Sequence, residues 1–295
     1  EHNLYLNNLI ELMAKEPALP VAAEAKAVPV PLRGEIRFEH VSFAYPGANS
    51  NALTDVSFTI QPGETLAVVG RNGAGKTTLF KLICRLYDPS EGRILIDGID
   101  LRDFKPEEIR RQIGAMFQDY VDYQATAAEN IGLGNVPEIA DRPAVVRASE
   151  QAGSDDLIAK LPEGYDTALG KWFDAGVNLS GGEWQKVALA RSFMRGDARI
   201  LLLDELTSAL DAQAEYDLFE RLRSLTQGRT AVYISHRFST VRRADRIIFL
   251  EQGRKVEEGT HDELMRLGGR YARLFRMQAA AYTGEDVTEL IGDVG

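Results

Sequence analysis

The sequence holds 295 residues, 44% hydrophobic and 26% charged, with 44 acidic against 34 basic side chains and a net charge of -10. This composition excludes collagen-like and wholly disordered chains, and the acidic balance argues against a general nucleic-acid surface, which needs a basic excess. The length suits one large α/β domain, or a domain with a subdomain, each burying a sizeable core.

Residues 4–13 place Leu6, Leu9, Ile10 and Met13 at helical spacing, and Pro17, Pro20, Pro29 and Pro31 follow, so a helix leads into a partly extended linker. Glu1 opens the chain with no basic-then-apolar signal pattern after it, which reads as a fragment or processed product. From Gly34 the pattern alternates at Ile36–Phe38, Val41–Tyr45 and Val56–Ile60, predicting antiparallel strands. Thr65–Val69 is a continuous apolar run followed by glycines and a helical pattern over Lys76–Leu86, as for a buried parallel strand entering a helix. Cys84, on that helix, has no partner for an internal disulfide, which fits a reducing compartment. Ile113–Phe117 reads as another short strand. Residues 119–179 read as mainly helical, with breaks at Pro137, Pro143 and Gly153. Two further buried parallel strands are expected at Ile200–Leu203 and Ala231–Ile234, and a helix with an acidic tail from Tyr271. No run approaches the roughly 20 apolar residues that cross a bilayer.

Gly70-Arg71-Asn72-Gly73-Ala74-Gly75-Lys76-Thr77 matches G-x-x-x-x-G-K-[ST] between a strand and a helix. Glycines there let backbone N–H groups turn inward around phosphate oxygens, and the helix N-terminus adds its positive dipole end. Lys76 is expected to reach the β- and γ-phosphates, and the Thr77 hydroxyl to ligate magnesium, with Thr78 continuing the cradle. A glycine-rich turn without a ligand is the bland alternative. Asp204 and Glu205 close an apolar strand: Asp204 suits magnesium, directly or through water, and Glu205 can polarise the attacking water, although paired acids also cap helices. His236 follows the strand ending at Ile234, within reach of a γ-phosphate at the same sheet edge. Gln118, after its own strand, can ligate magnesium or contact the water. Leu179-Ser180-Gly181-Gly182-Glu183 opens a helix. Ser180 and Glu183 have capping-box spacing, while the same hydroxyl and two bare amides form an anion site.

These elements, with Ser208-Ala-Leu-Asp211, resemble in their order the ATP-binding domain of ABC transporters over about Gly34 to Leu267. The resemblance implies a P-loop NTPase core with a mostly parallel sheet, an N-terminal antiparallel β subdomain and an inserted α-helical subdomain. It divides the chain into a helix and linker over 1–33 from a transmembrane half, core over 34–118 and 181–267, helical subdomain over 119–180, and C-terminal helix and tail over 268–295. It further implies that Tyr45 stacks on adenine, that Gln118 lies in a loop sensing the transmembrane partner, and that Asp211 lies in a loop linking two sites. The cofactors implied are ATP and Mg2+, with hydrolysis in a head-to-tail pair, homo or hetero. In that pair Ser180, Gly181 and Gly182 of one domain close over ATP held by the other.

Within the family the chain is most similar to exporters, where a membrane-spanning half precedes the ATPase on one polypeptide at the cytoplasmic face of the cell membrane. The transported species implied is a small molecule, peptide or lipid. Lys171-Trp-Phe-Asp-Ala-Gly176 and Trp184 depart from the multidrug-type pattern and look closer to bacterial peptide or lantibiotic exporters. A soluble ABC-type ATPase acting on nucleic acid or ribosomes is disfavoured by the acidity and by the lack of coiled-coil arms or a second ATPase domain. A separate importer subunit is a further alternative.

Overall fold

A computed structural model describes all residues except 1–9, 11–12, 15–18, 21, 23, 173–175, 206–225, 227, 236 and 284–295. In chain order it contains β1 (Ile36–Phe43), β2 (Leu53–Ile60), β3 (Thr65–Gly70), α1 (Lys76–Ile83), β4 (Glu91–Ile96) and β5 (Ile99–Asp100). Then come α2 (Pro106–Arg110), β6 (Ile113–Met116), α3 (Ala127–Gly132), α4 (Arg142–Ala152), α5 (Asp155–Ile158) and α6 (Gly181–Phe193). The remainder is β7 (Ile200–Asp204), β8 (Thr230–Ile234), α7 (Phe238–Val241), β9 (Arg246–Glu251), β10 (Arg254–Gly259), α8 (His261–Leu267) and α9 (Arg270–Thr283).

Strands β2-β1-β4-β5 form an antiparallel sheet, and β10-β9-β3-β8-β7-β6 form a second sheet in which only β10 runs antiparallel to its neighbour. The second sheet is covered on both faces, which is why its strands read as continuous apolar runs. Ala67, Val69, Leu201, Leu203, Ala231 and Tyr233 join one core with α3, α4 and α6. Their alternate neighbours Leu66, Val68, Ile200, Leu202, Val232 and Ile234 join another with α1 and the antiparallel sheet. Because β3, β6, β7 and β8 pair in parallel, their C-terminal ends lie along one edge, where open α/β sheets collect ligands.

Local chemistry sets several boundaries. Capping boxes start α3 at Thr126/Glu129, α6 at Ser180/Glu183 and α8 at Thr260/Glu263. The helix expected to Leu86 ends at Ile83. Cys84 caps it, and Arg85 turns to φ 49° so that its buried guanidinium donates to Phe104 O at 2.5 Å and Pro20 O at 2.7 Å. Pro143 does not break a helix: it occupies the first turn of α4, where its missing N–H has no intrahelical partner, after Asp141 caps Ala144 N. The alternation expected to run to Tyr45 stops at Phe43, because a register shift with His40 at φ 50° buries Val41, Ser42 and Phe43 in succession. Arg33 at the end of the linker, and Gly34 and Glu35 directly after it, donate their N–H groups to the Asp97 carboxylate at 2.6–3.0 Å, strapping the linker's end to the β4–β5 turn. Of the helix expected over 4–13, most lies outside the described residues. No helix among the described residues is long and apolar enough to cross a membrane.

Candidate functional site: a phosphate cradle with two carboxylates

The cradle follows β3 directly. Gly70 has φ 151° and lies so close to Leu250 that a Cβ would sit 2.2 Å from its carbonyl oxygen; Gly75, at φ 99°, would put a Cβ 2.6 Å from Ala52 O. Only glycine fits at either end of the turn. Ala74 faces the core, leaving Asn72, Gly73, Gly75, Lys76, Thr77 and Thr78 to line a cleft of about 560 Å³ with Tyr45, Ala52, Gln118, Asp204 and Glu205. Gly70 and Arg71 contribute through their carbonyls, which accept from Lys76 Nζ at 2.8 and 3.1 Å. Burial pushes the Lys76 ammonium below its ordinary pKa, against the opposing pull of the Glu205 and Asp204 charges. A nearly buried cation beside a ring of amides is an anion-seeking arrangement.

β7 delivers Asp204, 1% exposed, against α1: the Thr77 hydroxyl donates to Asp204 Oδ2 at 2.8 Å. Asp204 Oδ1 is buried without a partner among the described residues. Burial raises the Asp204 carboxyl to about 6, with the Glu205 and Asp119 charges adding to the rise while Thr77 and Lys76 oppose it. A carboxylate with an unused buried oxygen beside a hydroxyl, and a side-chain amide on the same cleft wall, form a hard oxygen donor set that fits Mg2+.

Glu205 comes next, at φ 53°, with its N–H donating to Ile234 O at 3.0 Å. Along a regular strand, consecutive side chains point to opposite faces. The left-handed turn at Glu205 breaks that rule, and both carboxylates line the same cleft. Tyr45 also lines the cleft. Its ring stands edge-on to Phe43 and Tyr87, its hydroxyl shares a 3.1 Å hydrogen bond with Thr78, and the Lys81 ammonium lies 5.5 Å from its centroid.

The second glycine motif does not line this cleft. Ser180 forms the capping box with Glu183, accepting from its N–H at 3.4 Å and donating its own N–H to Glu183 Oε2 at 2.7 Å. Ser180 and Gly181 are exposed, Gly182 is half-buried, and a Cβ at Gly181 would meet nothing within 4 Å. The packing of this chain therefore does not require the bare backbone of Gly181. His236, Ser208 and Asp211 lie outside the described residues.

Two residues not anticipated from the sequence bear on the site. Gln185, 3% exposed on α6, donates Nε2 to Glu205 O at 3.0 Å; a polar residue among buried Trp184, Val187 and Ala188 is the signal that marks it. Tyr120, shortly after Gln118, donates to Gly181 O at 3.2 Å.

Residues 53–208 match the model of the family described as ABC transporter, more than half of the chain. The chain belongs to the ABC transporter family. What this ABC chain represents is the family's ATP-hydrolysing domain, with its P-loop NTPase core. It is 46% identical over 246 residues to the ATP-dependent lipid A-core flippase of Burkholderia orbicola, covering 83% of this chain and 40% of that protein. P-glycoprotein 14 of Caenorhabditis elegans is 42% identical over 246 residues, covering 83% of this chain and 18% of that protein. Among solved structures, a bacterial Atm1-family ABC exporter with ATP bound superposes with a TM-score of 0.85 at 38% identity, covering 93% of this chain and 47% of that chain. This ABC chain thus spans less than half the length of these relatives.

Proposed function

We propose that this chain is the motor of an ABC exporter, in which ATP-driven pairing of two such domains is coupled to export through membrane-spanning segments on the same polypeptide, at the cytoplasmic face of the cell membrane. The observation that carries the proposal is the convergence of Lys76, the Thr77–Asp204 pair and Glu205 in one cleft, while the bare turn Ser180–Gly182 lies outside it on the surface. A phosphate cradle with a second anion-seeking turn exposed outside its cleft fits two copies arranged head to tail, each closing over the other's nucleotide. The similarity to flippase, P-glycoprotein and Atm1-family chains supports the exporter reading.

In this reading the amides from Gly73 to Thr78 and the Lys76 ammonium hold the polyphosphate, and Tyr45 offers its ring to adenine. Thr77, Asp204 and Gln118 hold Mg2+, which when bound supplies positive charge against the β- and γ-phosphate oxygens. Glu205 orients the attacking water and accepts its proton as the terminal phosphate leaves, and His236 contacts the γ-phosphate. Phosphoryl transfer needs little covalent help, so aiming that water and neutralising phosphate charge carry most of the rate. Glu205→Gln tests this directly. Its amide keeps the size of the carboxylate without the charge, so the variant is expected to bind Mg-ATP with wild-type affinity, lose turnover by about 100-fold or more and accumulate as an ATP-bound dimer in light scattering. Wild-type turnover, or a strictly monomeric ATP-bound variant, overturns the assignment.

A further inference from the structure

Glu205 owes its place in the cleft to a backbone conformation that its residue type does not favour. A left-handed φ at a residue with a Cβ costs on the order of 1–2 kcal/mol and persists only where its surroundings over-determine it. Two hydrogen bonds do so here. The Glu205 N–H is held by Ile234 O on β8 at 3.0 Å, and the Glu205 carbonyl is held by Gln185 Nε2 at 3.0 Å. The first comes from the neighbouring strand. The second reaches across from α6, the helix that begins at the Ser180–Gly182 turn.

Gln185 is poorly explained as packing. It sits on the buried stripe of α6, where leucine or methionine would fill similar space with no polar atom to satisfy. Its Oε1 is buried without a partner among the described residues, a deficit that typically costs about 1–3 kcal/mol. Of the three buried side-chain atoms orphaned in this way among the described residues, two, Gln185 Oε1 and Asp204 Oδ1, belong to residues bonded or adjacent to Glu205. What remains for the amide to do is donate Nε2 to the carbonyl of a strained residue.

We infer that Gln185 is a positioning residue for ATP hydrolysis: its amide fixes the left-handed turn that places the Glu205 carboxylate in the same cleft as Asp204. This rests on the reading that Glu205 orients the attacking water. Gln185 is absent from the cleft lining, so its loss leaves the nucleotide's contacts intact while releasing the aim of Glu205.

The experiment compares Gln185→Leu, wild type, Glu205→Gln and the double variant, with Gln185→Met as the substitute where the leucine variant does not fold. Mg-ATP affinity is read by calorimetry, kcat and KM by steady-state turnover, residual chemistry by single turnover, and folding by urea denaturation. The expected result for Gln185→Leu is a kcat lower by about 10- to 100-fold, the scale of a misplacement near 1 Å, with affinity and KM within about 3-fold of wild type. In the Glu205→Gln background the same substitution is expected to change the residual rate by less than about 2-fold, because the group it positions is already disabled. A folded Gln185 variant with wild-type kcat overturns the inference, as does an undiminished loss in the Glu205→Gln background. Full turnover in Glu205→Gln alone overturns the assignment of Glu205, and this inference with it.

Discussion

Asp204→Asn separates the stability of this site from its function. In the unfolded chain the carboxyl titrates near its ordinary 3.8; in the folded protein burial and the neighbouring acids lift it to about 6. Between those values the folded state holds the extra proton. The contribution of Asp204 to stability is therefore fully present below about pH 4 and is lost as the pH rises through about 6. At roughly 1.36 kcal/mol per pH unit, the ionised group at pH 7.5 destabilises the nucleotide-free fold by about 3 kcal/mol relative to an unperturbed carboxylate. Asparagine removes the charge and keeps an oxygen for the Thr77 hydroxyl, but it leaves one amide N–H pair short of acceptors, at a cost of about 1 kcal/mol or more. The net expectation in metal-free, nucleotide-free buffer is a gain of about 2 kcal/mol at pH 7.5, or about 3 °C in Tm for a chain of this size, shrinking to nothing or reversing by pH 4. Urea denaturation across pH 4–8 measures it. With Mg-ATP present the order reverses, because mass action then stabilises the wild type alone. Destabilisation of the nucleotide-free variant at pH 7.5, or a gain that does not change between pH 4 and 7.5, refutes the electrostatic reasoning.

Two further substitutions probe the cradle and the outward-facing turn. Lys76→Ala removes the cation that sits 2.8 and 3.1 Å from the Gly70 and Arg71 carbonyls; calorimetry is expected to show Mg-ATP affinity reduced by about 100-fold or more, in line with a lost buried charge–phosphate contact. Unchanged uptake removes the phosphate role of the loop. Gly181→Asp puts a side chain where nothing lies within 4 Å and a carboxylate at a helix N-terminus, so stability is expected to hold or rise slightly, by up to about 1 kcal/mol, while the proposed head-to-tail arrangement predicts a fall in turnover of about 100-fold from charge repulsion against the nucleotide of a second copy. Undiminished turnover argues against a trans site.

Much of this site was legible because its chemistry is local. Gly70 to Thr78 occupy consecutive positions, β3 and β7 are buried on both faces and so read as unbroken apolar runs, and Ser180–Glu183 carries both its cap spacing and its glycines in four residues. The parts that were not legible depend on partners far away in sequence. β4 begins Glu91-Gly92-Arg93, all exposed, and only Ile94, Leu95 and Ile96 are buried, so it has no alternation to read. β10 lies at a sheet edge with no fully buried residue. The early end of α1 is set by what Arg85 reaches, the carbonyls of Phe104 and Pro20. Gln185 stands out in sequence only as a polar residue on an apolar helix face, and its partner appears only when the end of β7 brings Glu205 alongside α6.

The distribution of unfavourable features also speaks to function. Asp204 carries an orphaned oxygen and a raised pKa, Glu205 a left-handed backbone, and Gln185 a second orphaned oxygen, all within one contiguous patch at the C-terminal end of β7. Each is worth on the order of 1–3 kcal/mol against folding, a large share of the roughly 5–15 kcal/mol by which domains are stable. The patch survives because β7 is buried along its whole length between β6 and β8, so its end cannot relax without breaking apolar contacts on both faces of the sheet. A rigid strand that forces poorly satisfied groups to one point is the arrangement expected where they serve the bound substrate, Asp204 and Glu205 from the cleft wall and Gln185 through its hold on Glu205, and it predicts that relieving any one of the three stabilises or leaves unharmed the empty domain while slowing the loaded one.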